Sequence, residues 1–199
     1  MKLYFGLLAA AATMALVGPT FVGSSLAANG EEFVIRGDAT KTILEQNEIN
    51  IATAEAISKA CIDEAVKQGV RVSVAIIDQF GEPVYMYRMD GQNKVNIDTA
   101  MMKARTVLNT RQPSKATMNA VLQGRSSELR QYSFGNFANS GGLPIVINGN
   151  QFIGAIGVGG SAPKPPEWSD EICAWRALTK VMGSQPALLP DTPPRPNTQ

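Results

Sequence analysis

The sequence predicts an α+β sandwich, in which one antiparallel sheet of four or five strands carries helices on its faces. Two segments rich in Val, Ile and Tyr each fold back across a short turn, VRVSVAIIDQFGEPVYMYRMDG and LPIVINGNQFIGAIGV, and such hairpins pair their strands locally. Helical patterns precede, separate and follow these two hairpins. This mixed order is typical of the α+β class.

The first element is a predicted helix from Thr53 to Gly69. Thr53 is the predicted N-cap, and Gly69 supplies the left-handed residue at which helices often stop. Between them, apolar side chains recur at helical spacing and form a core-facing surface: Ala54, Ile57, Cys61 and Ala65.

The first hairpin turns at Asp78, Gln79, Phe80 and Gly81, and Asp78 is expected to bind backbone amides there. Side chains alternate along the second arm, with Val84, Met86 and Arg88 on one face and Tyr85, Tyr87 and Met89 on the other. Both faces carry apolar bulk. We therefore expect both to be covered.

Two helices are predicted between the hairpins. The second helix spans about Ile97 to Thr110, ends before Pro113, and directs Lys103 away from its apolar face. Ser114 caps a third, shorter helix that ends near Leu122. That apolar face of the second helix is formed by Ile97, Met101, Ala104 and Leu108. The polar stretch that follows the third helix has room for one short strand, and its aromatic residues are Tyr132, Phe134 and Phe137.

The second hairpin turns at Asn148 and Gly149, the strongest short signal for a hairpin turn. Gly154 and Gly157 lie inside its second strand. Glycine at such a position marks a bulge, or the close approach of another backbone or of a ligand.

A last helix is predicted from its cap at Ser169 to about Met182. Asp170 and Glu171 occupy the first turn, where negative charge favours the positive end of the helix dipole, and they do not form an acid/base dyad. Five prolines among residues 186–199 predict an extended or disordered tail.

The N-terminal residues have the pattern of an export signal, with Lys2, an apolar run from Leu3 to Val17, and a small-residue site ending at Ala27. We predict a signal peptide over 1–27, an arm over 28–50, one domain over 51–184, and the tail over 185–199. A retained membrane anchor is the alternative. The processed protein is expected in the periplasm or outside the cell, without membrane contact.

Cys61 and Cys173 are the only cysteines. They could form a disulfide in an oxidising compartment. Two cysteines do not make a disulfide framework, and we favour the alternative of two buried thiols.

The composition excludes several classes of function. The chain has no histidine, so it has no Ser-His-Asp triad and no imidazole ligand for a metal or haem, and no metal site is predicted. Loss of the signal leaves 17 basic residues against 17 acidic ones, without the basic patch that nucleic acid requires. The segment GVGGSA gives only a GxGxxA pattern, and the prolines after it cannot open the helix that dinucleotide binding needs.

Four motifs in this order and spacing resemble the GlcG/HbpS-like family: AIIDQFGEPVYMYRMDG, KART, GGLPIVINGNQFIGAIGVGG and DEICA. The resemblance covers about residues 50–182. It implies a profilin-like fold, homo-oligomers from dimers to octamers, and, in some members, haem or another tetrapyrrole as ligand. It implies no settled enzymatic activity. The chain departs from the family pattern at Gly159, where a small hydroxyl residue is usual, and in lacking the histidine through which some members bind haem.

Residues that match the family motifs are candidates for a ligand site. Arg88 and Lys103 are the cationic candidates, because a positive charge beside an apolar pocket could bind a haem propionate or a small carboxylate. The alternative, which we favour slightly, is a structural ion pair of Arg88 with Asp90 or of Lys103 with Asp170.

Four further candidates each have a structural alternative. Thr106 could donate a weak axial oxygen to iron, although a helical threonine more often bonds a preceding carbonyl. Met89 offers a thioether, although methionines at this spacing usually fill the core. Gly141 and Gly142 expose amides that could bind an anion, or they serve a backbone turn with positive φ.

Three hypotheses for the function follow. The first is an exported homo-oligomer that binds haem or another tetrapyrrole with a hydroxyl, Met or Tyr ligand to iron, or with none. The second is an enzyme or accessory protein for small hydroxy or keto acids, for which the sequence offers no convincing general base. The third is a ligand-free assembly or scaffold protein.

Overall fold

A single antiparallel sheet with helices on both faces forms the described part of the chain. The computed structural model describes residues 47–125, 135–161 and 167–193. In chain order its elements are α1 (Ile51–Lys67), β1 (Ser73–Asp78), β2 (Pro83–Arg88), α2 (Lys94–Thr110), α3 (Ser114–Leu122), β3 (Gly142–Ile147), β4 (Gln151–Gly159) and α4 (Asp170–Met182). The four strands lie in the order β2-β1-β4-β3, and each neighbouring pair is antiparallel. The predicted α+β class is confirmed.

The alternation of side chains along β1 divides the core into two layers. Val74 and Ile76 pack in the layer beneath α1 and α4, together with Ile156 of β4. Ala75 and Ile77 face the opposite way and pack against α2. All of these residues are fully buried, so β1 is covered on both faces.

The glycines of β4 allow α2 to approach the sheet closely. A Cβ atom on Gly157 would overlap the carbonyl oxygen of Ala100 in α2, and one on Gly159 would lie 2.6 Å from the carbonyl oxygen of Asn96. On the other face, a Cβ on Gly154 would collide with the carbonyl oxygen of Ile77. Close approach of another backbone therefore explains these glycines.

The start of α1 differs from the prediction. The N-cap is Asn50, whose Oδ1 accepts a hydrogen bond from the backbone N–H of Thr53 at 2.9 Å, so Thr53 lies inside the helix. Asparagine caps as well as threonine, and the helix extends to the earlier cap. Gly69 has a φ of +64° just after the helix, and the predicted apolar face is buried, as expected.

Two predictions about α2 and α3 are wrong. The Lys103 side chain is buried rather than directed away from the core, with 3% of its surface exposed, because α4 supplies it with a carboxylate partner. Ser114 is the first residue of α3 and does not cap it. Its Oγ instead donates to the carbonyl of Asn139 at 2.6 Å and accepts from the N–H of Gly142 at 2.9 Å, which fastens the start of β3.

The expectation that both faces of β2 are covered is also wrong. Met86 is 45% exposed and Tyr87 is 42% exposed. The reason is position, since β2 is an outer strand of the sheet and α2 lies mainly over β4 and β1.

Cys61 of α1 and Cys173 of α4 form a disulfide, with their Cα atoms 5.1 Å apart. The favoured prediction of two buried thiols is therefore wrong. The packing of α1 against α4 brings together two residues that are 112 positions apart in the sequence.

Several predictions lie outside the described residues. They are the signal peptide, most of the arm, and the positions of Tyr132 and Phe134. Phe137 is described and lies outside any helix or strand. Within the described ranges, no helix is long and apolar enough to cross a membrane.

Candidate functional site

An apolar cavity of about 500 Å³ lies where the β3 edge of the sheet meets α4. The strands contribute Pro144, Val146 and Phe152, and α4 contributes Trp175 and Leu178. The segment after α4 forms a further wall with four residues: Gln185, Pro186, Ala187 and Leu189.

The guanidinium group of Arg111 lies beside this cavity. Arg111 follows α2 directly and takes a left-handed conformation with a φ of 57°, which turns the chain away from the helix. Its guanidinium carbon lies 4.0 Å from the centre of the Phe152 ring, a distance typical of a cation–π contact. Arg111 is exposed, so the charge remains available to an anionic group of a ligand.

A second cavity of about 660 Å³ adjoins the first. The two share Val146, Gly149, Gln185 and Pro186 in their walls. The second cavity adds Met182, the last residue of α4, and with it a thioether sulfur.

A buried ion pair connects α2 to the start of α4. The Lys103 Nζ lies 2.8 Å from Asp170 Oδ2 and also donates to the carbonyl of Val158 at 2.8 Å. The other carboxylate oxygen of Asp170 accepts hydrogen bonds from the N–H and the hydroxyl of Ser161. Lys103 therefore has protein partners, and little of it is open to a ligand.

A second ion pair connects α3 to the same turn of α4. The Lys115 Nζ lies 2.8 Å from Glu171 Oε2 and 2.8 Å from Asp191 Oδ1. Burial raises the pKa of Glu171, and the opposing effect of Lys115 is smaller. Burial lowers the pKa of Lys115, but its hydrogen bonds to Asp191 and Glu171 outweigh this, so its pKa is raised.

Four of the predicted site residues lie close together. A Cβ on Gly141 would lie 3.0 Å from the Lys103 Nζ, and one on Gly142 would lie 2.6 Å from the carbonyl oxygen of Lys103. Thr106, one turn further along α2, donates to the carbonyl of Met102 and accepts from the N–H of Phe137 at 2.7 Å. The Thr106 hydroxyl thus has a protein partner both as a hydrogen-bond donor and as an acceptor. A ligand role for these four residues stays a prediction.

Arg88 and Met89 lie at the end of β2, on the opposite edge of the sheet from the cavity. Arg88 is exposed and donates to the carbonyl of Gln92, and the described ion pairs do not include one with Asp90. The Met89 sulfur accepts from the N–H of Val72 at 3.3 Å. Their ligand role also stays a prediction.

Sequence reasoning did not find the cavity residues. Arg111 follows α2, Phe152 lies in β4, and Trp175 and Met182 lie in α4, so no single spacing in the sequence connects the three elements. One available signal was the apolar pair Leu188 and Leu189 within the tail, since a disordered tail has little need of such residues.

Comparison with known proteins identifies related sequences. The family model described as "Haem degrading protein HbpS-like" matches residues 49–179. Protein GlcG of Escherichia coli strain K12 is 34% identical over 119 residues, which cover 60% of this chain and 83% of GlcG. A 15.0 kDa protein of Citrobacter freundii, from the dhaT-dhaS intergenic region, is 32% identical over 119 residues, covering 56% of this chain and 80% of that protein.

Solved structures share the fold. HbpS has a TM-score of 0.61 at 26% identity, covering 76% of this chain and 99% of HbpS. ORFY of Klebsiella pneumoniae has a TM-score of 0.62 at 23% identity, covering 76% of this chain and 100% of ORFY. PduOC, solved as a complex with haem, has a TM-score of 0.58 at 20% identity, covering 68% of this chain and 96% of PduOC.

Proposed function

This chain belongs to the HbpS-like family of haem-degrading proteins, and from that premise we propose that it binds haem or a related tetrapyrrole in the apolar cavity at the β3 edge. The observation that carries the proposal is the cavity itself. Its walls are mainly apolar and aromatic, and a cation stands beside it. The proposal concerns binding only and assigns no reaction.

The residues present fit the chemistry of the macrocycle. A tetrapyrrole ring is flat and largely apolar, and it gains most from contact with side chains such as Trp175, Phe152 and Leu178. Its propionates are anionic, and Arg111 can bind a carboxylate through two parallel N–H groups. The cavity volume of about 500 Å³ is within the usual range for small-molecule sites, and the adjoining cavity extends it.

Met182 would hold the iron of a bound haem through its thioether sulfur. The chain has no histidine, and methionine is an established axial ligand of haem. Met182 lines the adjoining cavity, whereas Met89 and Thr106 already hold hydrogen bonds within the protein. Bound haem would supply the redox chemistry of its iron, and the protein would hold and orient it.

We further propose that the protein is exported to the periplasm or outside the cell. The N-terminal sequence pattern supports this. The Cys61–Cys173 disulfide also supports it, because disulfides persist mainly in oxidising compartments.

A haemin titration of the processed protein tests the proposed function. We expect a Soret shift that saturates at one haemin per chain, accompanied by quenching of tryptophan fluorescence. Arg111→Gln should weaken binding about tenfold through the loss of a charge-assisted hydrogen bond. Met182→Leu should move the Soret maximum and change the spin state of the iron.

The matched control for Arg111→Gln is Arg88→Gln, which removes an exposed arginine at the opposite edge of the sheet. It should leave affinity unchanged. Weaker binding by Arg88→Gln, with normal binding by Arg111→Gln, would move the site to the residues predicted from sequence. A Soret change no greater than that with an unrelated apolar protein would reject haem binding.

A further inference from the structure

The segment after α4, residues 184–193, contributes a wall of the apolar cavity, and we name it the strap. It contains no helix or strand. Four of its residues form a wall of the cavity: Gln185, Pro186, Ala187 and Leu189. The strap also lies beyond residue 179, where the match to the HbpS-like family model ends.

One face of α3 holds the strap through its backbone carbonyls. Lys115 donates to the carbonyl of Leu189 at 3.0 Å, Asn119 to that of Pro190 at 3.2 Å, and Gln123 to that of Pro193 at 2.6 Å. Lys115 and Asn119 are one turn apart on α3, and Gln123 follows at the same spacing just after its last residue, so their side chains project from one side. Proline supplies no backbone N–H, so a proline-rich segment offers mainly carbonyls to such a row of donors.

Contacts at the cavity attach the other end of the strap. The indole N–H of Trp175 donates to the carbonyl of Pro186 at 3.0 Å. The Gln185 side chain donates to the carbonyl of Val146, in the edge strand β3, at 3.3 Å. Trp175 and Val146 both line the cavity, so these bonds attach the strap to residues of the cavity wall.

Lys115 connects the strap to the core. Its ammonium group bonds the buried Glu171 on one side and the exposed Asp191 of the strap on the other. Most strap residues are exposed or half-buried, and most of their bonds lie near solvent. A segment held in this way opens at a much lower free energy than the sheet and helices do.

We propose that the strap is a lid that controls the entry and exit of the ligand and supplies specificity-determining contacts through Pro186 and Leu189. This inference rests on the proposed function, since it places the ligand in the same cavity. In this proposal the strap, which forms one wall of the cavity, restricts the passage of the ligand until it is released. The rate at which the ligand dissociates then depends on the tail as well as on the domain.

Truncation tests the lid. In a chain that ends at Gly183, haemin should associate and dissociate about tenfold faster than in the full processed chain, because the step of lid opening is lost. Stopped-flow absorbance gives the association rate, and transfer to an excess of a haem-scavenging protein gives the dissociation rate. The control chain ends at Pro193, keeps every strap contact described above, and should match the full chain.

A double substitution tests the lid without truncation, in case the shortened chain does not fold. Asn119→Ala with Gln123→Ala removes two of the bonds to the strap and should accelerate haemin exchange in the same direction. The matched control is Lys59→Ala with Asp63→Ala, which removes an exposed pair on α1, away from the strap. Circular dichroism should show the same helix content in all of these proteins.

The outcomes separate the two proposals. Saturable haemin binding with equal exchange rates in every form would overturn the lid and leave the proposed function standing. If no form binds haemin, the proposed function fails, and the lid is tested with an apolar fluorescent dye. The chain ending at Gly183 should then bind the dye and the full chain should not, whereas equal dye binding would overturn the lid.

Discussion

The first turn of α4 shows how two adjacent residues acquire separate roles. Asp170 and Glu171 stand at the positive end of the helix dipole, as the sequence predicts. Because neighbouring helical residues point in different directions, Asp170 reaches Lys103 on α2 while Glu171 reaches Lys115 on α3. One helical turn therefore neutralises two buried cations on two other helices.

Glu171 should make stability depend on pH in an unusual direction. Burial raises its pKa above the ordinary value of 4.5, so between that value and the folded-state pKa only the folded protein holds the proton. The free energy of unfolding then rises as pH falls through this interval. We expect the free energy of unfolding of the wild type, relative to that of Glu171→Gln, to increase as the pH is lowered from about 7.5 to about 5. Urea unfolding at the two pH values measures it.

An exposed glutamate of α1 provides the control for this experiment. Glu55→Gln removes an exposed carboxylate of α1 and is the charge-matched control for Glu171→Gln. A wild type that instead loses stability relative to Glu171→Gln on acidification would show that Lys115 dominates over burial.

At the scale of elements, α2 packs closely on β4 because the facing residues of β4 are glycines, which have no side chain. Gly157→Ala places a methyl group against the Ala100 carbonyl, and backbone cannot move aside as a flexible side chain can. We expect a loss of about 3 kcal/mol in the free energy of unfolding, because overpacking forces α2 away from the sheet. Urea denaturation measures the loss.

The control for Gly157→Ala separates steric overlap from backbone strain. Gly149 has a φ of +87°, and a Cβ there would meet no atom within 4 Å. Gly149→Ala should therefore cost only about 1 kcal/mol, from strain in the turn. Equal losses at the two positions would contradict the close packing of α2 on β4.

At the scale of the whole molecule, the two outer strands of the sheet have different surroundings. The β3 edge adjoins the cavity and the strap. The β2 edge exposes the large apolar side chains of Met86 and Tyr87, which offer a candidate surface for self-association.

We expect the processed protein to form a homo-oligomer through this edge. Met86→Lys with Tyr87→Lys should shift it toward the monomer in light scattering coupled to size-exclusion chromatography, because two buried charges would oppose the contact. The control is Val66→Lys, at an exposed apolar residue on α1. A wild-type monomer at micromolar concentration would contradict the proposed association.

Much of the fold could be predicted because its signals are local. The turn residues Asp78 and Gly149, the helix stop at Gly69 and the cap at Ser169 each act within a few positions, and the structure confirms them. The candidate site could not be predicted in this way. Arg111 and Trp175 come to line the same cavity only after α2, the second hairpin and α4 have packed together.

The sequence by itself determined the class of fold, its two hairpins and the family, because periodicity and turn chemistry are properties of neighbouring residues. The tertiary structure alone decided that Lys103 is buried, that Cys61 bonds Cys173, and that the tail forms a wall of a cavity. Each of these depends on partners far apart in the chain. Their burial and pairing are set by the packing of whole elements, which no local pattern encodes.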